Sequence, residues 1–247
     1  MEVLDGKTAL VTGGSRGIGR AIVRRLAADG AAVMFSFRTD EDAAHRVTKE
    51  VSEAGGKAFA VQADQGSLAD LRRLFAEAKE QLGSLDVVVC NAAVSEPLAI
   101  PDVTEADFDR FMAVNAKGPL FIIKQAGQDL RSGGAIISIS SLDTVLHSPG
   151  AALYAGSKAA LEQFTVVAAL EFGDRDITAN IVSPGATDTD LLRSANPGET
   201  FAAEVAQTAL GRLGRPQDIA NVVAFLAGPD SRWITGQNLR ATGGFLP

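Results

Sequence analysis

Six short apolar runs recur along this chain, each followed by a longer stretch of helical period, and that alternation limits the fold more than any other feature. The runs are KTALVT (7–12), AAVMFSF (31–37), KAFAVQ (57–62), LDVVVC (85–90), AIISIS (135–140) and ITANIVS (177–183). The helical stretches cover 17–29, 40–54, 67–82, 104–131, 151–173 and 216–227, and a last short strand is expected near 238–241. The runs are nearly continuous in apolar residues rather than alternating, as in strands buried on both faces. Strand and helix in alternation mean a parallel sheet with helices on both sides. Right-handed crossovers then lead to an α/β, doubly wound Rossmann-type parallel sheet of about seven strands. One such sheet uses the whole length of 247 residues, so a single domain, 1–247, is expected.

Local signals agree with these breaks. Thr104 can cap a helix, with Asp107 three residues on as a stand-in for the capping-box acid. Gly30 and the pair Gly55–Gly56 end the first two helices, and Pro216 opens the last, where its missing N–H costs nothing.

The balance of charge narrows the partners. The formal net charge is -7, which argues against nucleic acid or an anionic membrane as the main partner. One cysteine allows no internal disulfide and fits a reducing compartment. The opening stretch MEVLDGKTAL has an acidic start and no long apolar core, so no secretory leader is expected, no run approaches a membrane span, and a cytoplasmic location follows. His45, His147 and Cys90 form no metal-ligand spacing, so no metal site is expected.

VTGGSRGIGRAI joins the first strand to the first helix. Gly13, Gly17 and Gly19 lack side chains, so the chain can turn tightly there and bring backbone close to a pyrophosphate. The following helix N-terminus offers free N–H groups and partial positive charge to that anion. Placed after a strand and before an amphipathic helix, the turn reads as a dinucleotide cradle.

The chain has one tyrosine, Tyr154, in YAGSK, four positions before Lys158. Residues four apart lie on one helix face. A phenol can give a proton to an alkoxide, and a neighbouring ammonium is expected to stabilise the phenolate and lower its pKa. The lysine itself is expected to stay mostly protonated. Tyr154 is therefore the expected proton carrier. Ser141 closes the fifth strand thirteen residues earlier, at the carboxyl edge where open α/β sheets place ligands.

Taken together, TGGSRGIG (12–19), CNAA (90–93), Asn115 in VNAKG, ISS (139–141), YAGSK (154–158), SPGATDT (183–189) and ITGQNLRATGG (234–244) resemble the short-chain dehydrogenase/reductase family over essentially the whole chain. Within it, the chain is most similar to the 3-oxoacyl-carrier-protein reductase branch and its ketone- and alcohol-oxidising relatives. The resemblance implies a catalytic set of Asn115, Ser141, Tyr154 and Lys158. Ser141 would hold the carbonyl oxygen, and Asn115 would hold a water in a relay to Lys158; a helix kink at Asn115 is compatible with that role. It also implies cofactor contacts at Gly13, Ser15, Arg16, Gly17, Ile18 and Gly19, with Asp64 on the adenine and Asn91 and Ala92 beside the cofactor. Pro184, Gly185, Thr187 and Thr189 would hold the nicotinamide amide and pyrophosphate. Where the family usually has Asn-Asn-Ala-Gly, this chain reads Cys90-Asn91-Ala92-Ala93, and Cys90 reads as a small buried strand residue.

The second strand ends FSFRTDED. Phe37 stands where NAD-using relatives carry an acid, and Arg38 follows. Arg38 and Arg16 can grip a 2′-phosphate, so the expected cofactor is NADP(H); each arginine alone could equally be a solvated surface charge. Asp40 and Asp42 read as helix-start residues.

The expected activity is NADPH-dependent reduction of a ketone, a 3-oxoacyl thioester or related carbonyl, to a secondary alcohol. The alternatives are a dehydrogenase of a small alcohol, sugar or steroid-like substrate working mainly in the oxidative direction, and a cofactor-binding regulator without turnover. The pocket is expected from 141–153 and the segment after Pro184. Asp143 either lines its mouth and disfavours anions or caps a turn. Segment 189–210 reads as a substrate lid, with Leu191, Leu192, Phe201 and Val205 on an apolar face that could equally be core. A homo-oligomer, tetramer favoured, is expected through 104–131 and 151–173. Ala155, Ala159, Ala160, Phe164 and Ala168 give the latter a small and apolar face that an intrachain helix would share.

Overall fold

The computed structural model describes residues 3–195 and 201–245. Seven strands form one sheet: β1 (Thr8–Val11), β2 (Ala32–Phe37), β3 (Lys57–Gln62), β4 (Leu85–Cys90), β5 (Leu130–Ile139), β6 (Thr178–Pro184) and β7 (Asn238–Ala241). Their order is β3-β2-β1-β4-β5-β6-β7, and every pairing is parallel. Strand order reverses between β1 and β4, and a crevice opens beyond their carboxyl ends, the place where such sheets bind ligands.

Side-chain alternation along each strand builds two cores. On one face Ala9 and Val11 of β1, Val87 and Val89 of β4 and Ile137 of β5 meet α1 (Gly17–Ala28), α2 (Glu41–Glu53) and α9 (Pro216–Ala227). On the other, Leu10, Val88 and Ile136 meet α3 (Leu68–Leu82), α5 (Gly118–Asp129) and α6 (Ala152–Glu171). Because β1, β4 and β6 are buried along their whole length, their sequences are mostly apolar without strict alternation. The edge strand β3 alternates between exposed and partly covered positions instead. Leu10 has no exposed surface, and truncating such a leucine to alanine costs about 2–5 kcal/mol.

The expected caps form. Thr104 and Asp107 make the reciprocal capping box, Asp40 accepts from the Ala43 N–H at 2.8 Å to start α2, and Pro216 opens α9. One expectation fails. Residues 104–131 do not make a single helix: α4 (Glu105–Met112) passes through a π turn (Ala113–Lys117) into α5, and β5 starts at Leu130. Pro119 has no N–H for an α-helical bond to the residue 115 carbonyl. A Cβ on Gly118 would stand 2.3 Å from the Gln65 carbonyl oxygen, so only glycine lets this turn press on its neighbour. Two short helices, α7 (Asp190–Ala195) and α8 (Ala202–Gln207), lie in the segment read as a lid, whose residues 196–200 lie outside the described residues. Leu191 and Leu192 face the crevice, whereas Phe201 is buried. Among the described residues no helix is long and apolar enough to cross a membrane.

Candidate active site

The glycine turn is built for close backbone approach. Gly13 has φ +68°, and a Cβ there would lie 3.0 Å from Ala92; one on Gly19 would lie 2.0 Å from the Gly13 carbonyl oxygen. Thr12, at the foot of the turn, was not singled out in the sequence. Its hydroxyl accepts from the main-chain N–H groups of Asn91 at 3.0 Å and Ala92 at 3.1 Å, locking the β4 exit to the β1 exit. The Asn91 amide donates to the carbonyls of Thr12 and Gly13 at 2.8 and 3.1 Å. Asn91 thus fixes the shape of the turn with its side chain, while still lining the crevice.

The crevice encloses about 630 Å³. Every residue expected to touch the cofactor lines it, from Gly13, Ser15, Arg16, Gly17, Ile18 and Gly19 through Arg38, Asp64, Asn91 and Ala92 to Pro184, Gly185, Thr187 and Thr189. Helix α1 has no side-chain cap and no acid in its first turn, so its N–H groups and positive end are available to an anion. Arg16 and Arg38 are exposed and form no ion pair among the described residues. The Asp64 carboxylate accepts from the Gly66 N–H at 2.8 Å, which holds the loop after β3 in shape. A bare glycine cradle, an uncapped helix N-terminus and two free guanidinium groups fit a phosphate-rich dinucleotide.

At the other end stand the expected catalytic residues. Lys158 is 2% exposed, and its Nζ donates to the Ile139 carbonyl oxygen at 2.8 Å. Burial pulls its pKa down to about 8, and the Glu162 carboxylate acts against that fall. Nζ lies 5.9 Å from the centre of the Tyr154 ring. Tyr154 itself does not behave as its spacing from lysine predicts. Burial pushes the phenol up to about 12; the Ser141 hydroxyl draws it down and the Asp143 carboxylate pushes it further up. Desolvation outweighs the Ser141 hydroxyl.

Asn115 is fully buried inside the π turn rather than lining the crevice. Its amide donates to the Val94 carbonyl at 2.9 Å and the Ser157 hydroxyl at 3.1 Å, and its carbonyl accepts from the Val94 N–H at 2.9 Å. The residue therefore joins the loop after β4 to α6. Gln65, also unmarked by the sequence reading, donates to the carbonyls of Ala92 and Val114 at 2.8 Å each and braces the same turn.

Ser141 sits at the end of β5, and its hydroxyl donates to Asp143 Oδ2 at 3.0 Å while accepting from the Asp143 N–H at 3.2 Å. Asp143 lines the crevice, and the turn is capped by the Ser141 side chain rather than by Asp143 on its own backbone. His147 is exposed on the same loop. Behind them Glu162 accepts from the hydroxyls of Ser140 at 2.6 Å and Thr144 at 2.9 Å, pinning both flanks of Ser141 to α6. Cys90 is buried, and burial pushes its thiol up to about 12, so it packs as a small apolar side chain.

The model of a family described as enoyl-(acyl carrier protein) reductase matches residues 13–246. An uncharacterised oxidoreductase of Methylorubrum extorquens is 46% identical over 99% of both chains. A hydroxynaphthalene reductase-like protein of Metarhizium majus is 41% identical over 98% of this chain and 95% of its own. The structure of a short chain dehydrogenase from Burkholderia cenocepacia, in complex with NADP, superposes with a TM-score of 0.93 at 38% identity, over 98% of each chain. A cradle after β1, a serine at the end of β5 and a tyrosine–lysine pair on α6, in a chain that matches such proteins almost from end to end, place it in the short-chain dehydrogenase/reductase family.

Proposed function

We propose that the chain is an NADP(H)-dependent reductase that turns a ketone into a secondary alcohol. The observation that carries this reading is the placement of Tyr154 and Lys158. The phenol lines the crevice that the glycine turn opens, with a buried ammonium 5.9 Å from its ring centre. Among the cofactor contacts, Arg16 and Arg38 take the 2′-phosphate, and the α1 N-terminus takes the pyrophosphate. When bound, the dinucleotide supplies the hydride that the carbonyl carbon receives.

The chain's own residues manage the proton. Ser141 orients the carbonyl oxygen towards Tyr154, and Tyr154 gives its phenolic proton to that oxygen as negative charge develops there. A phenol that ionises only near pH 12 is fully protonated at neutral pH, which suits the reductive direction. The ammonium of Lys158 stabilises the phenolate left behind, and the proton is restored through Lys158 and the Asn115 turn. The relative from Metarhizium majus is named for a hydroxynaphthalene, which supports a cyclic ketone beside the 3-oxoacyl thioester reading. We read residues 1–247 as one functional unit with a lid in 189–210, working as a homo-oligomer.

The test is substrate-dependent loss of NADPH absorbance across acetoacetyl thioesters, cyclic ketones and sugars, wild type against Tyr154→Phe. Turnover in the wild type alone supports the reading. Cofactor binding without turnover of any carbonyl favours a regulator.

A further inference from the structure

Ser141 has one hydroxyl proton, for which Asp143 Oδ2, 3.0 Å away, and the Tyr154 phenol oxygen compete. A hydroxyl has a single donor, so the proton that would hold a substrate carbonyl is already engaged. The other carboxylate oxygen, Asp143 Oδ1, has no protein donor among the described residues, and Asp143 forms no ion pair there. The residue is half-buried and lines the crevice next to Ser141, Leu146 and Tyr154.

The rest of that end of the crevice does not offset the charge. The cationic side chains lining it are Arg16, Arg38 and Lys158. The first two lie at the glycine turn and the end of β2, and the third is buried with its ammonium on the Ile139 carbonyl. The other acids near the substrate end are Glu96, held in a fork by Arg110 at 2.9 and 2.8 Å, Asp190 at the start of α7 and Glu204 on α8. An anionic substrate would bring its charge against Asp143 with no free cation among the described residues at that end to receive it. A substrate with a hydroxyl or ammonium near its carbonyl would instead donate to Asp143 and release the Ser141 proton to the carbonyl oxygen.

We propose that Asp143 is a specificity-determining residue, selecting ketones that carry a hydrogen-bond donor beside the carbonyl and turning away oxo-acids. This rests on the ketone-reductase reading and assigns it a substrate class. Donor-bearing substrates satisfy the carboxylate, whereas plain ketones must compete with it for Ser141.

Two matched pairs test this with NADPH as reductant: levulinate against its methyl ester, and cyclohexanone against its α-hydroxy derivative. Ratios of kcat/KM within each pair are compared between wild type and Asp143→Asn, which keeps the side-chain shape and removes the charge. Intrinsic reactivity cancels in that comparison. In the wild type the ester and the hydroxyketone are preferred, and Asp143→Asn narrows each preference by about tenfold, the scale of one mismatched polar contact. Asp143→Ser moves both ratios in the same direction. Melting shifts with cyclohexanol and cyclohexane-diol in the presence of NADPH, a pairing that cannot react, follow the same order. Ketones turned over with ratios equal in wild type and both variants overturn the proposal alone. No ketone turned over by the wild type, with NADPH bound, removes the reductase reading and this proposal with it.

Discussion

The Lys158 ammonium donates to the main-chain oxygen of Ile139 at 2.8 Å and so sits between the end of β5 and the Tyr154 ring, 5.9 Å from its centre. One carbonyl is a thin solvation shell for a buried charge, which is why the lysine's pKa falls from 10.5 to about 8. That fall makes stability depend on pH in the cofactor-free protein. Below about pH 8 the lysine is charged folded and unfolded, and the folded state bears the whole desolvation cost. Between about 8 and 10.5 the folded lysine is neutral while the unfolded one still binds its proton, so its contribution to stability rises with pH. Tyr154 acts oppositely in a higher window. From 10 to about 12 the folded phenol keeps a proton that the unfolded one loses, so stability falls. Melting temperature against pH for wild type and Lys158→Met will show a rise between pH 8 and 9 only in the wild type; above 9 the raised Cys90 thiol offsets it. Parallel curves would refute it.

Removing the phenolic oxygen leaves the ring and its packing in place. Tyr154→Phe is therefore expected to fold and to bind NADPH with little change. Its kcat will fall by about 10²–10⁴, the usual contribution of a positioned general acid. Single-turnover kinetics with a saturating ketone check this. A loss smaller than tenfold would mean that another group delivers the proton.

The 2′-phosphate grip predicts a discrimination. Arg16→Ala with Arg38→Ala should raise KM for NADPH by roughly ten- to a hundredfold per arginine, since a hydrogen bond to a charged group contributes about 1.5–3 kcal/mol. KM for NADH, which lacks the phosphate, should move little. Equal losses for both cofactors would mean that the arginines hold something else.

Most of this frame was legible because burial on both sheet faces writes itself into sequence as apolar runs, and β2 and β4 begin and end close to where those runs do. The glycine turn and Tyr154–Lys158 were legible because each needs particular residue types at short spacing. The π turn was missed, since residues 104–131 keep a helical apolar pattern through Asn115; Gly118-Pro119 was the available signal. Thr12, Gln65 and Glu162 were missed for a different reason. Each works through partners far along the chain, and no local pattern marks a hydroxyl that receives two N–H groups 79 and 80 residues away. The direction of the Tyr154 shift was misread because spacing shows the lysine but not the depth of burial.

Thr12 offers a separate test of how the crevice is held open. Thr12→Val keeps the shape but leaves the Asn91 and Ala92 N–H groups without their acceptor. An unsatisfied buried donor costs about 1–3 kcal/mol, and each kcal/mol lowers the melting temperature of a chain this size by about 2–4 °C. Thr12→Ser restores the oxygen and should recover most of the loss, together with NADPH affinity. A valine variant as stable as wild type would show that water replaces the hydroxyl at no cost.

The surface of α4, α5 and α6 leads to the last prediction. Of the residues expected to give α6 a face for other subunits, Ala168 is buried and Phe164 packs against the chain's own core. Ala155, Ala159 and Ala160 stay partly open, and more exposed still are Leu170 at 81%, Val167 three residues earlier, and Phe108, Leu120 and Phe121 on α4 and α5. Apolar side chains gathered this way on neighbouring helices mark an interface more often than a solvated surface. The proposed homo-oligomer should therefore depend on Leu170 rather than Ala168. Leu170→Glu is expected to shift the sedimentation profile towards the monomer mass without unfolding the sheet, because nothing in the intrachain core touches that position. Ala168→Ser, facing inward, should instead lower the melting temperature and leave the mass unchanged. If Leu170→Glu sediments as the wild type does, subunits meet elsewhere or not at all.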